Sequence, residues 1–316
     1  MRDFENRRAK EPDNDKAHGL SYYTSLLDSA LPDTPGHSAA MWDERADEWE
    51  KDYNPNGMRA SAIRKSDDRI QDTVDYLYGR GLLGPDCDIV DIGCGPGRFA
   101  VAFARSARHV TGIDFSERMI HYGVAYARRE GMDNTSFLLR DFHTLDIKRE
   151  GLANRFDLVF SSITPAIHGM DGLIKSMGMS RKYCCNITHI HSDNVLESQM
   201  MQDVFGRERP DPWAGHWRWF YATFNTLFLL GYYPEASYYK RTQENVVDAG
   251  VARAKLMVRQ LLPPEDQTEE NLSKIMDWLR SQSDVQDRLM EISEVTYGRL
   301  LWDVRGKTER SPLITK

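Results

Sequence analysis

The 316-residue chain is 41% hydrophobic and 28% charged, the balance of a folded globular protein with one large core or two modest ones, and not that of a disordered or collagen-like chain. No apolar run approaches the ~20 residues that a membrane span needs, and the first thirty positions are dense in charge with no apolar signal core, so a cytoplasmic protein with no membrane partner is expected. Acidic residues outnumber basic ones, 48 against 41, which does not favour a phosphate backbone, and nucleic acid is expected to be a disfavoured acceptor.

In chain order, residues 1–40 read as a charged arm that docks locally through the apolar patch Tyr22–Leu27. A helix follows over Ser61–Tyr78, where Ile63, Ile70, Val74 and Leu77 fall at helical spacings before Gly79 and Gly81. Strand and helix then alternate, which argues for a parallel sheet of βαβ units. Strands are expected at Asp88–Ile92, Val110–Asp114, Ser136–Arg140, Asp157–Ser161 and Tyr183–His189. Helices are expected at Arg98–Ser106 and Glu117–Glu130, with Ser116 as N-cap. An aromatic stretch, Trp213–Tyr221, runs to a stop at Gly231 and Pro234, with Trp217, Phe220, Phe224 and Phe228 as its core stripe. Glu235–Arg241 and Val295–Val304 read as two more strands. Between them Val251–Leu262, Leu272–Leu279 and Val285–Ile292 carry helical periodicity, the last opened by a capping box at Ser283–Gln286. The four cysteines (Cys87, Cys94, Cys184, Cys185) lack zinc spacing and read as reduced thiols.

The segment Ile89-Val-Asp91-Ile-Gly93-Cys94-Gly95-Pro-Gly97-Arg-Phe-Ala100 is a buried strand ending in a turn with glycines at alternate positions. Without Cβ atoms, such a turn lets backbone approach a flat ligand. Asp91 argues against a dinucleotide: two like charges 4 Å apart repel by roughly 1 kcal/mol in water and about 4 at a surface-like dielectric. The spacing is also G-x-G-x-G, not the dinucleotide G-x-G-x-x-G. A cationic, phosphate-free ligand suits the site better.

From about Trp42 to Val304 the sequence resembles the class I S-adenosylmethionine-dependent methyltransferases. The resemblance implies an α/β fold with a doubly wound, seven-stranded, mostly parallel sheet. An N-terminal helical arm (1–40) and a helical insertion before the last strand (249–293) would act as lids on a cofactor-binding domain (41–248 and 294–306). It implies that Asp91, Gly93, Cys94, Gly95 and Gly97 contact the methionine and ribose portions of S-adenosylmethionine. Asp114 would take the ribose hydroxyls and Phe115 lie against the adenine. Asp141 would hold the adenine amino group beside Phe142, and Ser161 would end the strand facing the methyl. Trp42-Asp-Glu-Arg-Ala46-Asp-Glu-Trp49 resembles the segment that in many members crosses the cofactor, so Trp42 and Trp49 are assigned there. S-adenosylhomocysteine would be the product.

Methyl transfer is an in-line displacement that needs alignment and exclusion of water, with a base only where the acceptor must lose a proton. The carboxyl rim of the sheet offers Thr164 and His168 after the fourth strand, and His189 and His191 after the fifth. His168 is the candidate base. Thr164, His189, Trp213 and Trp219 are the candidate acceptor wall, and no metal site is assigned, since His189 and His191 share a strand face whether or not a metal is present. A small or medium-sized metabolite is the expected acceptor. A nicotinamide oxidoreductase and a non-catalytic adenosylmethionine-binding regulator are the rival readings. The sequence does not give the oligomeric state.

Overall fold

The computed structural model describes residues 12–29, 39–43, 46, 60–210 and 216–306. A seven-stranded mixed sheet runs in the order β3-β2-β1-β4-β5-β7-β6, with helices on both sides. Its strands are β1 Asp88–Ile92, β2 His109–Asp114, β3 Thr135–Leu139, β4 Phe156–Ser162, β5 Ser180–Asn194, β6 Glu235–Asp248 and β7 Arg288–Asp303. The helices are α1 Pro12–Ser29, α2 Ala60–Tyr78, α3 Arg98–Ala104, α4 Glu117–Arg129, α5 Gly169–Met179, α6 Val195–Phe205, α7 His216–Leu229, α8 Val251–Leu261 and α9 Glu269–Gln282. The expected α/β class with a doubly wound sheet is the fold observed.

The pairs β1–β2, β1–β4, β2–β3 and β4–β5 are parallel. Because β1 lies between β2 and β4, chain order reverses at β1, and the crevice at the carboxyl ends of β1 and β4 is where open α/β sheets bind ligands. After Asp88, the β1 residues Ile89, Val90, Asp91 and Ile92 are all buried, as a strand covered on both faces requires. The α4 helix begins as expected: the Ser116 hydroxyl accepts from the Met119 N–H, with Glu117 in the first turn and Arg128 and Arg129 in the last.

The described residues form two compact units. The first takes the chain to Thr188, with Arg218–Ser237 and the residues from Arg299. The second takes described residues within His189–Trp217, with Tyr238–Gly298. Its core joins Leu196, Met200 and Met201 of α6 to Ala254 and Met257 of α8, Ile275 and Leu279 of α9, and Leu289 of β7. The same unit holds a buried ionic cluster that links Glu197, Arg209, Arg253 and Glu291, with Asn194 donating to Glu291.

Three expectations are corrected. No helix forms over Val285–Ile292. Ser283 instead closes α9, the Asp284 carboxylate accepts the N–H groups of Gln286 and Arg288, and β7 starts at Arg288. Leu289 and Glu291 are buried while Arg288 and Met290 are exposed, the period of two of a strand, and the helical spacing of Val285, Leu289 and Ile292 is incidental. The strands β5, β6 and β7 run longer than expected. On α7 the buried face is Trp219, Phe220, Thr223, Thr226 and Leu227, while Trp217 and Phe228 are 46% and 51% exposed; the stripe is rotated from the one expected.

Candidate active site

The turn after β1 is held from below by β2: the N–H groups of Gly93 and Cys94 both donate to the Ile113 carbonyl, at 2.8 and 3.1 Å. Gly93 and Gly97 lie in the left-handed region, with φ of 68° and 75°. Their missing side chains are used by the protein itself. A Cβ on Gly93 would lie 1.9 Å from Thr164 Oγ1, and one on Gly97 would lie 2.8 Å from the Phe137 ring. Thr164, expected in the acceptor wall, thus packs on the glycine turn, and its hydroxyl accepts from the Ala166 N–H. Cys94 is buried and burial pushes its thiol well above the ordinary range, so it is inert.

Asp114 closes the same turn. One carboxylate oxygen accepts from the Gly95 N–H at 2.9 Å and the other from the Ser116 N–H at 3.0 Å. Burial raises its pKa, against the opposing pull of these N–H groups. Each carboxylate oxygen keeps a further lone pair for a ligand. Asp43, which sequence reasoning missed, accepts from the Ser116 hydroxyl at 2.5 Å and from the Arg118 N–H at 3.2 Å. That brings the segment carrying Trp42 to the start of α4, two residues beyond Asp114, with Ala46 buried. Trp49 and Trp213 lie outside the described residues.

Asp91 is 2% exposed, and its Oδ2 has no hydrogen-bond partner among the described residues. Burial, and then the neighbouring Asp114, push its pKa up to about 8, opposed by the charge of Arg69. Arg69 on α2 places its guanidinium 5.2 Å from the Phe99 ring centroid and within 3.4 Å of the Ser162 hydroxyl at the end of β4. The sequence signal for Arg69 was its place beside the buried stripe of Ile70, Thr73 and Leu77.

Beyond β3, Asp141 is exposed and accepts from the His143 N–H at 2.9 Å. Phe142 is 3% exposed, with the Lys175 ammonium 5.4 Å from its ring centroid. Core packing accounts for it, a correction to the adenine contact expected. Phe115 is half-buried. Lys175 of α5 donates to the carbonyls of Phe142 and His143 and so ties the β3 and α5 segments together.

At the end of β4, Ser161 is buried and accepts from Asn186 Nδ2 at 2.9 Å. His168 stands at the N-cap of α5 with its ring centroid 6.5 Å from that of His143, which places two imidazoles on this rim. The α5 terminus is instead capped from α1, where Asp28 accepts from the Met170 N–H at 3.0 Å. Trp219, expected to wall the acceptor pocket, is buried in the α7 face and packs as core. His189 belongs to the second unit, its ring centroid 5.0 Å from that of Tyr297. Among the described residues no group of His, Cys, Asp or Glu could hold a metal, and no helix is long and apolar enough to cross a membrane.

Residues 83–201 match the family described as Methyltransferase domain. That stretch carries the glycine turn, Asp114, Asp141 and the β4 rim, so this part of the chain is similar to a methyltransferase domain. Among curated relatives, the 23S rRNA (uracil(1939)-C(5))-methyltransferase RlmD of Klebsiella pneumoniae is 26% identical over 165 residues, 50% of this chain and 35% of that protein. The RlmD of Hahella chejuensis is 44% identical over 55 residues, 17% of this chain and 12% of that protein. The chain therefore spans about a third or less of the length of these relatives. Among solved structures, magnesium protoporphyrin IX methyltransferase of Synechocystis PCC 6803 with bound SAH aligns at a TM-score of 0.44 and 13% identity, covering 88% of this chain and 99% of that one.

The relatives correct the expected partners. Sequence similarity to proteins named for methylating a uracil of 23S rRNA overturns the setting aside of nucleic acid in favour of a small molecule. Net charge averages over the whole surface, whereas an acceptor meets only the local field around the site.

Proposed function

We propose that the turn after β1 carries the amino-acid and ribose portions of S-adenosylmethionine and that the acceptor enters over the β4 rim. The observation that carries this reading is the pair of buried carboxylates. Asp114 is fixed by two backbone N–H groups with lone pairs left for a diol, and Asp91 is buried with an oxygen that lacks a partner. An ammonium satisfies that oxygen, and Arg69 beside it suits the carboxylate of the same amino-acid group. Gly93, Cys94, Gly95 and Gly97 supply the backbone under the ligand, Phe115 and Asp141 flank the adenine, and Trp42 crosses above. A pyrophosphate at this turn would face the Asp114 carboxylate, which disfavours the nicotinamide reading. The cofactor supplies an electrophilic methyl on a sulfonium, transferred in line.

In this reading His168 takes the acceptor proton, and Thr164 and Ser161 shape the rim beneath it. The names of the relatives bring ribosomal RNA into consideration as an acceptor. Carbon 5 of uracil becomes nucleophilic only after a nucleophile adds to the ring. Burial raises the thiols of Cys94, Cys184 and Cys185, and Cys87 lies at the opposite end of β1 from the turn. An RNA acceptor would accordingly react through an atom that is already nucleophilic. The test is label transfer from methyl-labelled cofactor to RNA and to small-molecule fractions. His168→Ala should keep cofactor binding and lose about 100-fold in rate; an unchanged rate would remove His168 as the base.

The Asp91 carboxyl gives a pH signature. Below about pH 8 it is neutral in the unliganded protein, whereas an ammonium against it requires the carboxylate, so binding releases a proton. Affinity for S-adenosylhomocysteine should rise with pH toward 8, by at most about tenfold per unit. Stability of the unliganded protein should run the opposite way, because a carboxyl with a raised pKa favours the fold at low pH and disfavours it as pH rises. Calorimetric titrations across pH check this, and Asp91→Asn should flatten both slopes.

A further inference from the structure

We infer that β6 is a self-association edge, and that two copies of this chain pair antiparallel along it about a two-fold axis at Thr242. The sheet ends at β6, whose second edge pairs with no strand among the described residues. An unpaired edge presents a row of backbone N–H and C=O groups, and proteins usually blunt such edges with short strands, bulges or proline. The β6 strand is neither short nor interrupted by proline, and the charges on its exposed row, Lys240 and Glu244, are of opposite sign. It runs 14 residues from Glu235 to Asp248 without glycine or proline, its residues alternate between exposed and half-buried over almost the whole length, and no residue in it has a left-handed backbone.

The exposed row carries the register. It reads Tyr238, Lys240, Thr242, Glu244, Val246, with Tyr238 and Val246 each 61% exposed and the Lys240 side chain 69% exposed. In an antiparallel pair, residues directly opposite share a face. With Thr242 opposite its own copy, Lys240 meets Glu244 and Tyr238 meets Val246, twice each by symmetry, so both charge and apolar surface are self-complementary. Registers that oppose like charges are disfavoured. A slip that centres the pair on Arg241 sets two guanidinium groups opposite each other, and centring on Lys240 or Glu244 opposes like charges. Inside the chain, Lys240 and Thr242 reach Glu294 only at 3.9 and 3.4 Å, long contacts that leave both side chains free to turn toward a copy.

A single strand pair buries less than a standard interface, so the dimer should be weak and dependent on concentration. The test is sedimentation of the full chain over a concentration series. The expected result is a rise from the 36.4 kDa monomer toward twice that mass. Lys240→Glu should weaken the dimer at least tenfold, and Lys240→Glu with Glu244→Lys should restore it to within about threefold. Thr242→Cys should form a disulfide-linked dimer under mild oxidation, and Val246→Cys, which faces Tyr238 of the copy, should not. A monomer at every concentration, an unaffected Lys240→Glu dimer, or equal cross-linking of the two cysteine variants would overturn the inference. None of these readings depends on the cofactor or acceptor.

Discussion

Asp114→Ala is expected to abolish measurable binding of S-adenosylhomocysteine and to lower the melting temperature of the unliganded protein. Asp114 is 8% exposed and accepts from the N–H groups of Gly95 and Ser116, so alanine leaves two buried donors without their acceptor. Each such orphan costs about 1–3 kcal/mol, and the glycine turn loses the contact that ties it to the start of α4. The charge-assisted bonds to the ribose hydroxyls go with it, a loss of at least about 100-fold in affinity. Asp114→Asn separates the two effects. The amide keeps one acceptor, so stability should fall less while binding stays as poor as in the alanine variant. Calorimetric titration and thermal unfolding of the two variants make the comparison. Affinity within tenfold of the native chain in both would move the ribose anchor elsewhere.

Gly93→Ala should be the most damaging single-methyl change in the site. At φ 68° an L-residue pays about 1–2 kcal/mol, and the new Cβ would lie 1.9 Å from Thr164 Oγ1 and 2.6 Å from Thr164 Cβ. Something must move, and the movable partner is the segment after β4, which opens with Ile163 at φ 50° and closes at Gly169 with φ 65°. Displacing it shifts Thr164 and the approach to His168 together. A destabilisation of about 2–4 kcal/mol is expected, within the range of strain and overpacking, together with a lower transfer rate. Pairing the change with Thr164→Gly should recover the clash component but not the backbone component, as read from denaturant midpoints. An unchanged midpoint for Gly93→Ala alone would show that the turn is looser than the close approach of Thr164 implies.

What the sequence displayed was local. β1 was legible because a strand buried on both faces is a short apolar run, and the turn after it because its glycines stand at fixed offsets. Ser116 was legible as a cap because capping acts within four residues. What it hid was long-range or depended on the period chosen. Asp43 reaches Ser116 across 73 residues and Arg69 reaches Ser162 across 93, contacts that no local pattern encodes. His143 drew no notice because its meaning comes from facing His168, which only the fold brings about. Trp219 and Phe142 were read as ligand contacts from their type and position, yet both are covered by neighbours from elsewhere in the chain. The start of β7 was read as helix because Val285, Leu289 and Ile292 stand at i, i+4 and i+7, yet Val285 lies before the strand and is fully exposed. Nucleic acid was set aside for a different reason: whole-chain charge says little about the field over one rim.

The measurement that bears most directly on the central claim is calorimetric titration of the native chain with S-adenosylhomocysteine and, separately, with a nicotinamide dinucleotide. Saturable binding of the first at one site per chain, and none of the second, is the predicted outcome. Binding of the dinucleotide to the turn after β1, or no binding of S-adenosylhomocysteine at any pH between 6 and 8, would contradict it.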